Sequence, residues 1–442
     1  MFSAMSLALI SGVPASAASL TVCASGCQYS TIQAAVNAAN PGDQISVGPG
    51  TYAENVVIPI TISIMGSGPT TVVYPAVNGP KCGDSPGAGT LCTGSSTVFL
   101  VQADNVTIAN LRIEGANPNL TGGVMVGGAS VNARNGIVDD FRNYPTVYDG
   151  LTVQDVIMSD IYHRGIYEAS GGSGFRFVDN TVSNVQGSAE SVAIFNFGGS
   201  GLIEGNTVSA ANDAISANWS GGTQFLDNTV VDSGSGIHTD NSGWSGTPDV
   251  IEGNTIENCT TGGYGIFTYA QDGVVTVSNN VVRGCYVGLA VFGSALAPGS
   301  ATGVSTAFVG NMVSGRGAKT TDPTGTYGVY IVTDVLYYGY ANASATLTGN
   351  SISGFGTGFF ASQTVADPIS QLGPPAGDVV VTANNNNIVR NDVGANGETG
   401  VTVDATSNWW GCSSGPGHNG CDSATGVSFE PWLMHSVRLS AY

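Results

Sequence analysis

The sequence predicts an all-β fold, a single parallel β-helix, from three observations. A short phrase centred on Asn recurs along the chain, apolar residues flank each Asn with period two, and two cysteines occupy the same place in consecutive repeats. The phrase, as in IEGNTV, is centred on Asn180, Asn206, Asn228, Asn254, Asn280, Asn311 and Asn350. The first four steps are 26, 22, 26 and 26 residues, which suits a coil of three short strands joined by tight turns.

The later repeats and the composition fit the same architecture. The last two steps lengthen to 31 and 39 residues, which predicts loops inserted into otherwise regular coils. The 442 residues include 64 Gly and only 10% charged side chains, as expected for many tight turns between half-buried strands. Each coil packs only on its neighbours, so residues 19–442 can form one domain of roughly ten coils.

The repeat Asn and two cysteines indicate the register of the coils. We expect each Asn to sit at a turn, where it tolerates a left-handed backbone and stacks on the Asn of the next coil. A weaker copy of the phrase surrounds Asp155. Cys259 and Cys285 each follow their repeat Asn by five residues. Strands of adjacent coils lie about 4.8 Å apart, which places these two cysteines within disulfide reach.

The eight cysteines indicate a disulfide-reinforced protein. Their even number favours disulfides over metal binding, because no pair has C-x-x-C spacing and the chain has only four His. The expected pairs are neighbours in the sequence: Cys23 with Cys27, Cys82 with Cys92, Cys259 with Cys285, and Cys412 with Cys421.

The start of the chain indicates secretion. Residues 2–13 are apolar or small and Ala15-Ser16-Ala17 offers a cleavage site, so residues 1–18 are predicted to be a signal peptide. The basic residues that usually precede the apolar run are missing, and the alternative is a buried first strand. No later run reaches the ~18 apolar residues of a membrane span, so we expect a secreted or cell-surface protein.

The net charge limits the partners. With 11 Lys and Arg against 31 Asp and Glu, the formal charge is −20, which leaves no basic stripe for nucleic acid or for an anionic membrane surface. A polyuronate would also be repelled unless local Arg or Ca²⁺ intervened. We expect no nucleic-acid partner and a monomeric protein.

A second strand follows each Asn phrase and begins with Gly or Ala, as in GIYEA, AISAN and GIHTD. The next residue is predicted to point inward, giving a stack of Ile166, Ile194, Ile215, Ile237, Ile266, Leu289, Val329 and Phe359. Residues one and three positions later then face outward, because side chains alternate along a strand. Ser216, one position after Ile215, is therefore expected to tolerate a charge as a surface residue does.

Both ends of the chain resemble pectin-lyase-like right-handed parallel β-helix proteins. Residues 31–58 are similar to the opening coil of these proteins, and residues 408–417, with the motif NWWG, are similar to the closing coil. The resemblance implies a right-handed solenoid with an N-terminal capping helix, here residues 31–40, and a closing coil with Trp409 and Trp410 in its core. Such helices host lyases, hydrolases, epimerases and adhesins, so the resemblance leaves the activity open. The Asp-Pro-His-Asp signature of alginate epimerases and the signatures of polygalacturonases are not evident.

The outward positions form the candidate substrate-binding surface. Sugars stack their C–H faces on aromatic rings and need Asp, Asn or His near their hydroxyls, and coils would repeat such groups every ~4.8 Å. The predicted substrate-binding residues are Tyr167, Phe195, Phe197, Asn218, Phe267, Tyr269 and Tyr330. The alternative is that a long loop covers these rings, which then form a second, small core.

The middle of this surface carries the candidate catalytic residues. A glycosidase needs two carboxyls roughly 5–9.5 Å apart, one as acid and one as base or nucleophile. Asp213 and Asp240 fall in adjacent coils, with His238 between them as a proton partner. Glu168 falls at an inward position, where a carboxyl must be paired or have a raised pKa, so it is a further candidate acid.

A second titratable group precedes this region and holds an unusual share of the Arg residues. It comprises Asp139, Asp140, Arg142, Asp160, His163 and Arg164. These residues could serve an anionic sugar, with His163 or Arg164 as base, or could form ordinary loop salt bridges, which the sequence favours.

These observations favour a secreted protein that binds an extracellular polysaccharide and cleaves it as a glycoside hydrolase on a neutral or weakly charged glycan. We expect no cofactor and no metal site; Ca²⁺ would enter only with the first alternative, a lyase or epimerase acting on a uronate. The second alternative is a non-catalytic cell-surface or adhesive protein.

Overall fold

The computed structural model describes residues 17–81, 89–143, 145–243, 246–260, 262–294, 304–316, 326–333, 341–363, 377–418 and 420–438. Within these ranges the chain winds into a solenoid of three parallel sheets, in which each strand pairs with the equivalent strand of the coil before and the coil after. The predicted parallel β-helix is confirmed. The predicted signal peptide lies almost entirely outside the described residues.

Sheet I contains 14 strands among the described residues. In order they are Ser19–Val22, Gln44–Val47, Ser63–Met65, Thr107–Ala109, Thr152–Gln154, Ser173–Val178, Ser200–Glu204, Gln224–Leu226, Val250–Glu252, Gly273–Ser278, Val304–Val309, Ala343–Thr348, Val379–Asn384 and Thr402–Asp404.

Sheet II contains 12 strands within the same ranges. They are Gly50–Ala53, Thr71–Tyr74, Arg112–Glu114, Ile157–Ile161, Thr181–Val185, Thr207–Ala211, Thr229–Val231, Thr255–Glu257, Val281–Arg283, Met312–Ser314, Ser351–Ser353 and Asn387–Val389. A short antiparallel hairpin, Val124–Val126 with Ala129–Val131, stands outside the three sheets.

Sheet III contains 13 strands in the described part of the chain. They are Val56–Ile58, Thr97–Val101, Asn135–Asp139, Arg164–Glu168, Val192–Phe197, Asp213–Asn218, Ser235–Asp240, Tyr264–Tyr269, Val287–Gly293, Tyr327–Thr333, Thr357–Ser362, Val393–Gly397 and Ala424–Thr425. All three sheets thus exceed the roughly ten strands expected from the sequence.

One α-helix, α1 (Ile32–Ala38), lies at the start of the solenoid, and 3₁₀ turns occur at Gly68–Thr70 and Phe141–Asn143. The Thr31 side chain accepts a hydrogen bond from the Ala34 N–H, and the Glu54 carboxylate accepts one from the Ile32 N–H at 2.8 Å. These acceptors satisfy N–H groups that a helix start leaves unpaired. The apolar face of α1 is buried and packs on the first strands of sheets I and III.

The inward stack predicted for the Gly/Ala strands is confirmed in sheet III. The pairing places Ile166 beside Ile194, then Ile215, Ile237 and Ile266 in successive coils, and continues through Leu289, Val329 and Phe359. All of these side chains are 0–1% exposed. Burial of each is worth roughly 1.5–3 kcal/mol, so the stack is a main source of stability.

The repeat Asn residues form a continuous buried ladder along the solenoid. The Asn206 Oδ1 accepts hydrogen bonds from the backbone and side-chain amides of Asn180, at 3.0 and 2.9 Å, and the same pair of bonds recurs in each following step. The ladder extends beyond the predicted members to Asn386 and Asn408. The predicted stacking of Asn is therefore confirmed.

The predicted backbone of the repeat Asn is wrong. The left-handed residue is the one before it, as at Asp179 with φ 55° and Asp227 with φ 53°. Asp155, with φ 53°, occupies this turn position as well, and Val156 takes the place of the ladder Asn. The Asn side chain is instead held inside, where its amide replaces backbone partners that the turn removes.

Three of the four predicted disulfides are present: Cys23–Cys27, Cys259–Cys285 and Cys412–Cys421. Cys259 and Cys285 join adjacent coils with their Cα atoms 4.6 Å apart, as the five-residue offset from the ladder Asn predicts. Cys82 lies outside the described residues, so its pairing with Cys92 stays a prediction. In the described ranges there is no helix long and apolar enough to cross a membrane.

Candidate functional site

The outer face of sheet III presents three side chains per strand rather than two. Ala214 and Gly236 are the second residues of their strands and are buried on the inner side beside the Ile stack, so the first residues, Asp213 and Ser235, lie on the outer face. A Cβ on Gly236 would lie 2.2 Å from the Gly265 carbonyl oxygen, which explains why only a minimal side chain fits there. The bend adds an outward row that strict alternation does not predict.

His238 lies between two carboxylates on this outer face. Its Nδ1 is 3.2 Å from Asp213 Oδ2, and its Nε2 is 4.0 Å from Asp240 Oδ2. The three side chains are 11%, 16% and 14% exposed in the order His238, Asp213 and Asp240. The Ser235 hydroxyl donates a hydrogen bond to the other oxygen of Asp213 and fixes that carboxylate. The structure thus brings together the three residues proposed for catalysis at this point of the sequence.

The two carboxylates determine the charge of His238. Burial alone would lower the pKa of the imidazole, but the attraction of Asp213 and then of Asp240 outweighs it and raises the pKa to about 9. The group is therefore an imidazolium at neutral pH, able to donate a proton. Its ring also stacks on Phe267, with centroids 4.5 Å apart.

This pKa predicts that stability falls as the pH rises from about 6.5 to about 9. Below the unfolded-state pKa of ~6.5, His238 is protonated in both states and its ion pairs stabilise the folded protein fully. As the pH rises and the folded state loses this proton, the free energy of unfolding falls by up to about 3 kcal/mol. His163, whose pKa burial lowers to about 2, has the opposite effect near pH 6, because there it is protonated only in the unfolded state; this effect is common to the protein and its His238 variant and cancels between them. Urea unfolding of the protein and of His238→Gln at pH 6 and 9.5 measures this loss. An equal change in the free energy of unfolding between the two pH values in both proteins would contradict the prediction.

The predicted substrate-binding rings differ in exposure. Phe197 is 41% exposed and Phe267 is half-buried, whereas Tyr167, Phe195, Tyr269 and Tyr330 are only 5–8% exposed. Tyr167 stacks on Phe195, and Tyr269 stacks on Phe292. Two small apolar clusters on the outer face thus contain most of the rings, which agrees with the alternative of a second core for these four.

Several of the buried polar atoms that lack a partner among the described residues lie on the outer face of sheet III. The Ser216 Oγ, the Asn218 Oδ1 and the Arg164 Nε are buried without a hydrogen-bond partner among the described residues. Ser216 is on the outer side of the strand but only 1% exposed, so the expectation that it behaves as a surface residue is wrong; Phe195 and His238 flank it in the adjacent strands. Buried polar groups without partners are rare in folded proteins and are expected where a ligand binds.

Glu168 lies away from this surface. It is fully buried inside the solenoid, next to Asp139 of the preceding coil, and its Oε1 accepts hydrogen bonds from Ser170 and Gly172. Burial and the Asp139 carboxylate raise the pKa of Glu168 well above the usual range, so the Glu168 carboxyl is the protonated member of this pair. A polysaccharide on the outer face cannot reach it, and we do not retain Glu168 as a catalytic candidate.

The second titratable group does not form one site. Asp140 and Arg142 form a local ion pair with N–O distances of 2.7 Å, and Asp160 accepts a hydrogen bond from Asn184. His163 contacts Ser188, and Asp139 is interior. Only Arg164 reaches the outer face, where its guanidinium lies over Phe195, 4.7 Å from the ring centroid.

Sequence reasoning missed the outward row that precedes the Gly or Ala. Besides Asp213, this row contains Arg164, Tyr264 and Tyr327, and the two tyrosines pack on Phe267 and Tyr330. The available signal was the fixed offset of these residues, which start their strands one position before the Gly or Ala. No group of three or more His, Cys, Asp or Glu able to hold a metal ion occurs in the described ranges.

Comparisons with known proteins bear on the fold. Residues 149–333 match a family model described as a right handed beta helix region, and no curated protein sequence matches the chain significantly. The A-module of the mannuronan C-5 epimerase AlgE6 of Azotobacter vinelandii is similar in structure, with 15% identity over 90% of this chain and 94% of that chain and a TM-score of 0.50.

Two further solved structures are more distant. A polygalacturonase of Erwinia carotovora ssp. carotovora has 13% identity over 97% of this chain and 98% of that chain, with a TM-score of 0.40. An alginate lyase of Paenibacillus sp. str. FPU-7 has 17% identity over 75% of this chain and 94% of its own, with a TM-score of 0.38. The family match over residues 149–333 and the three stacked parallel sheets agree, and the chain has a right-handed parallel β-helix fold.

Proposed function

We propose that this protein is a secreted enzyme that hydrolyses a neutral or weakly charged extracellular polysaccharide on the outer face of sheet III. The observation that carries the proposal is the His238 imidazolium held between the carboxylates of Asp213 and Asp240. The structural similarity to an epimerase module agrees with a polysaccharide substrate but supplies no residue role. Disulfides between and within coils support an oxidising compartment outside the cytoplasm.

The three residues can complete a hydrolytic cycle. Asp213 orients His238, which donates its Nε2 proton to the departing glycosidic oxygen as the bond to the anomeric carbon breaks. Asp240, whose carboxylate is 4.0 Å from the imidazole Nε2, bonds to the anomeric carbon as the glycosidic bond breaks and forms a glycosyl ester. Water then gives a proton to the neutral His238 and its oxygen bonds to the anomeric carbon, which releases the Asp240 carboxylate and restores the imidazolium.

Substrate binding would use the groups that remain accessible beside this centre. Phe197 offers an exposed ring, and the Asn218 side chain lies next to Asp240 in the adjacent strand with its Oδ1 unpaired among the described residues. An extended chain along the solenoid axis would meet Phe197, Asn218 and Asp240 in consecutive coils, about 4.8 Å apart. Rotation of the Asn218 amide would bring its buried Oδ1 to the surface, where it would accept a hydrogen bond from a sugar hydroxyl.

A screen of the secreted protein on purified polysaccharides tests the proposal. Hydrolysis gives new reducing ends without an unsaturated sugar, and we expect this product from the protein and not from Asp240→Asn. Binding without any product from any polysaccharide would leave a non-catalytic adhesive role and reject the hydrolase.

One observation favours a second candidate, a lyase or epimerase acting on a uronate. Arg164 is the cation that the uronate alternative requires on the outer face, and its Nε has no partner among the described residues. An arginine there can hold a sugar carboxylate. Products with an unsaturated uronate end, or with inverted C-5 configuration, would establish this candidate in place of hydrolysis, and Arg164→Gln should then abolish binding.

A further inference from the structure

The closing coil contains a cavity far along the solenoid from His238. Its volume is about 570 Å³, and its wall includes Arg390, Asn391, Trp409 and Asp422, all within the described ranges. Ligand pockets are usually 300–1,000 Å³ and combine an apolar surface with a few fixed polar groups. The cavity has this size and this mixture of groups.

The two tryptophans of the NWWG motif have different environments. Trp410 is fully buried, as expected for the core of the closing coil, but Trp409 is only half-buried and lines the cavity. Trp409 forms a bridge to Asn387, the first residue of the last sheet II strand, so its backbone is held in the register of that sheet. Its half-buried indole offers an apolar surface to a ligand.

Arg390 adopts a backbone conformation that is unfavourable for arginine. Its φ is 61°, at the position three residues after the start of the sheet II strand, where other coils have the left-handed residues Asn184, Ala210, Asp232, Asn258 or Gly354. A left-handed residue with a Cβ costs roughly 1–2 kcal/mol unless its side chain is as tolerant as that of Asn. Within the described residues the exposed Arg390 side chain makes no hydrogen bond or ion pair, so the fold gains nothing visible from its guanidinium.

Asp422 supplies a fixed carboxylate at the same wall. It is 6% exposed, and its Oδ2 accepts hydrogen bonds from the Asn391 backbone N–H at 3.0 Å and from the Asn391 side chain at 2.8 Å. Both bonds hold the carboxylate in one orientation. Together, Arg390 and Asp422 provide donors and acceptors whose charges balance.

We propose that this cavity binds one neutral sugar ring of a polysaccharide, as a site separate from the outer face of sheet III. The apolar face of the sugar stacks on Trp409, its hydroxyl oxygens accept hydrogen bonds from Arg390, and its hydroxyl groups donate to Asp422. A neutral ring fits because the balanced pair offers both kinds of partner without a net charge. The site binds and does not cleave, and it stands whether or not His238 takes part in hydrolysis.

Arg390→Asn is the decisive variant, because Asn occupies the same turn in other coils. Loss of the guanidinium should weaken binding of neutral oligosaccharides about tenfold, while the relieved backbone keeps or raises the melting temperature. Lower affinity together with a lower melting temperature would instead assign Arg390 a structural role and overturn the proposal.

The probe is an array of neutral glucan, xylan, mannan and galactan oligosaccharides beside uronate oligosaccharides, presented to the full chain. Trp409→Ala should lower the binding of the neutral probes, and the further change Phe197→Ala, on the outer face, should then remove the binding that remains. Unchanged binding by Trp409→Ala, binding of uronates alone, or no binding of any neutral probe by the unaltered protein would each overturn the proposal. Loss of all binding in Phe197→Ala alone would place the sugar on the outer face and do the same.

Discussion

Replacement of His238 by Gln should lower the turnover of polysaccharide cleavage by about 10²–10⁴-fold, the usual effect of removing a general acid. Gln keeps much of the side-chain length but cannot donate the proton that the imidazolium holds at neutral pH. The measurement is the turnover number at saturating polysaccharide, with far-ultraviolet circular dichroism to show that the coils remain intact.

Replacement of Phe197, a ring on the same face, is the control for His238→Gln. Phe197→Ala removes the exposed ring of the same outer face and should raise KM while turnover at saturation stays nearly the same, because the ring holds ground and transition states alike. Equal turnover in His238→Gln and the unaltered protein would remove His238 from the mechanism.

Replacement of Ile237 by Asp should unfold the middle coils. Ile237 is fully buried in the inner stack between Ile215 and Ile266, where no described cation can pair with a new carboxylate. The change removes buried apolar area and adds a charge in the interior, each of which costs several kcal/mol or forces the carboxyl to stay protonated. Thermal unfolding and limited proteolysis around residue 237 measure the loss.

The control places the same carboxylate on the outside of the same solenoid. Thr207 is an exposed residue of sheet II, and Thr207→Asp should change the free energy of unfolding by no more than about 0.5 kcal/mol. Ser216 cannot serve as this control because it is buried beside Asp213 and His238. Equal losses from Ile237→Asp and Thr207→Asp would contradict the inward and outward assignments.

The repeats predicted the fold because the same pattern of residues recurs in each coil. The Asn spacing, the inward Ile positions and the Cys259–Cys285 offset are all patterns within the repeat. Because adjacent coils stack, residues at equivalent positions of the repeat contact each other. His238 lies near Asp240 because the two residues alternate along one strand, and the register places Asp213 beside Ser235, diagonally across from His238.

The parts that could not be predicted depend on departures from simple alternation. The bend at Ala214 turns Asp213 outward, and the aromatic packing buries Tyr167, Phe195 and Ser216 on a face that the pattern marks as exposed. The sequence predicts that Glu168 points inward. Its contact with Asp139 cannot be predicted in the same way, because the two residues are 29 positions apart and belong to different coils. The burial of a side chain on the outer face depends on the side chains of neighbouring coils, so the periodicity of the sequence does not predict it.

Helix α1 has a consequence for colloidal behaviour. An uncovered solenoid end exposes the backbone groups of its outermost strands and the apolar interior, and such an end can accept the opposite end of another copy. That contact is head-to-tail and does not close, so it would propagate as a filament. Ile32, Ala35 and Val36 of α1 are buried, and α1 packs on the first strands of sheets I and III, where the sequence predicts a capping helix. A chain lacking residues up to 40 should therefore polymerise, with growth limited only by the supply of free ends.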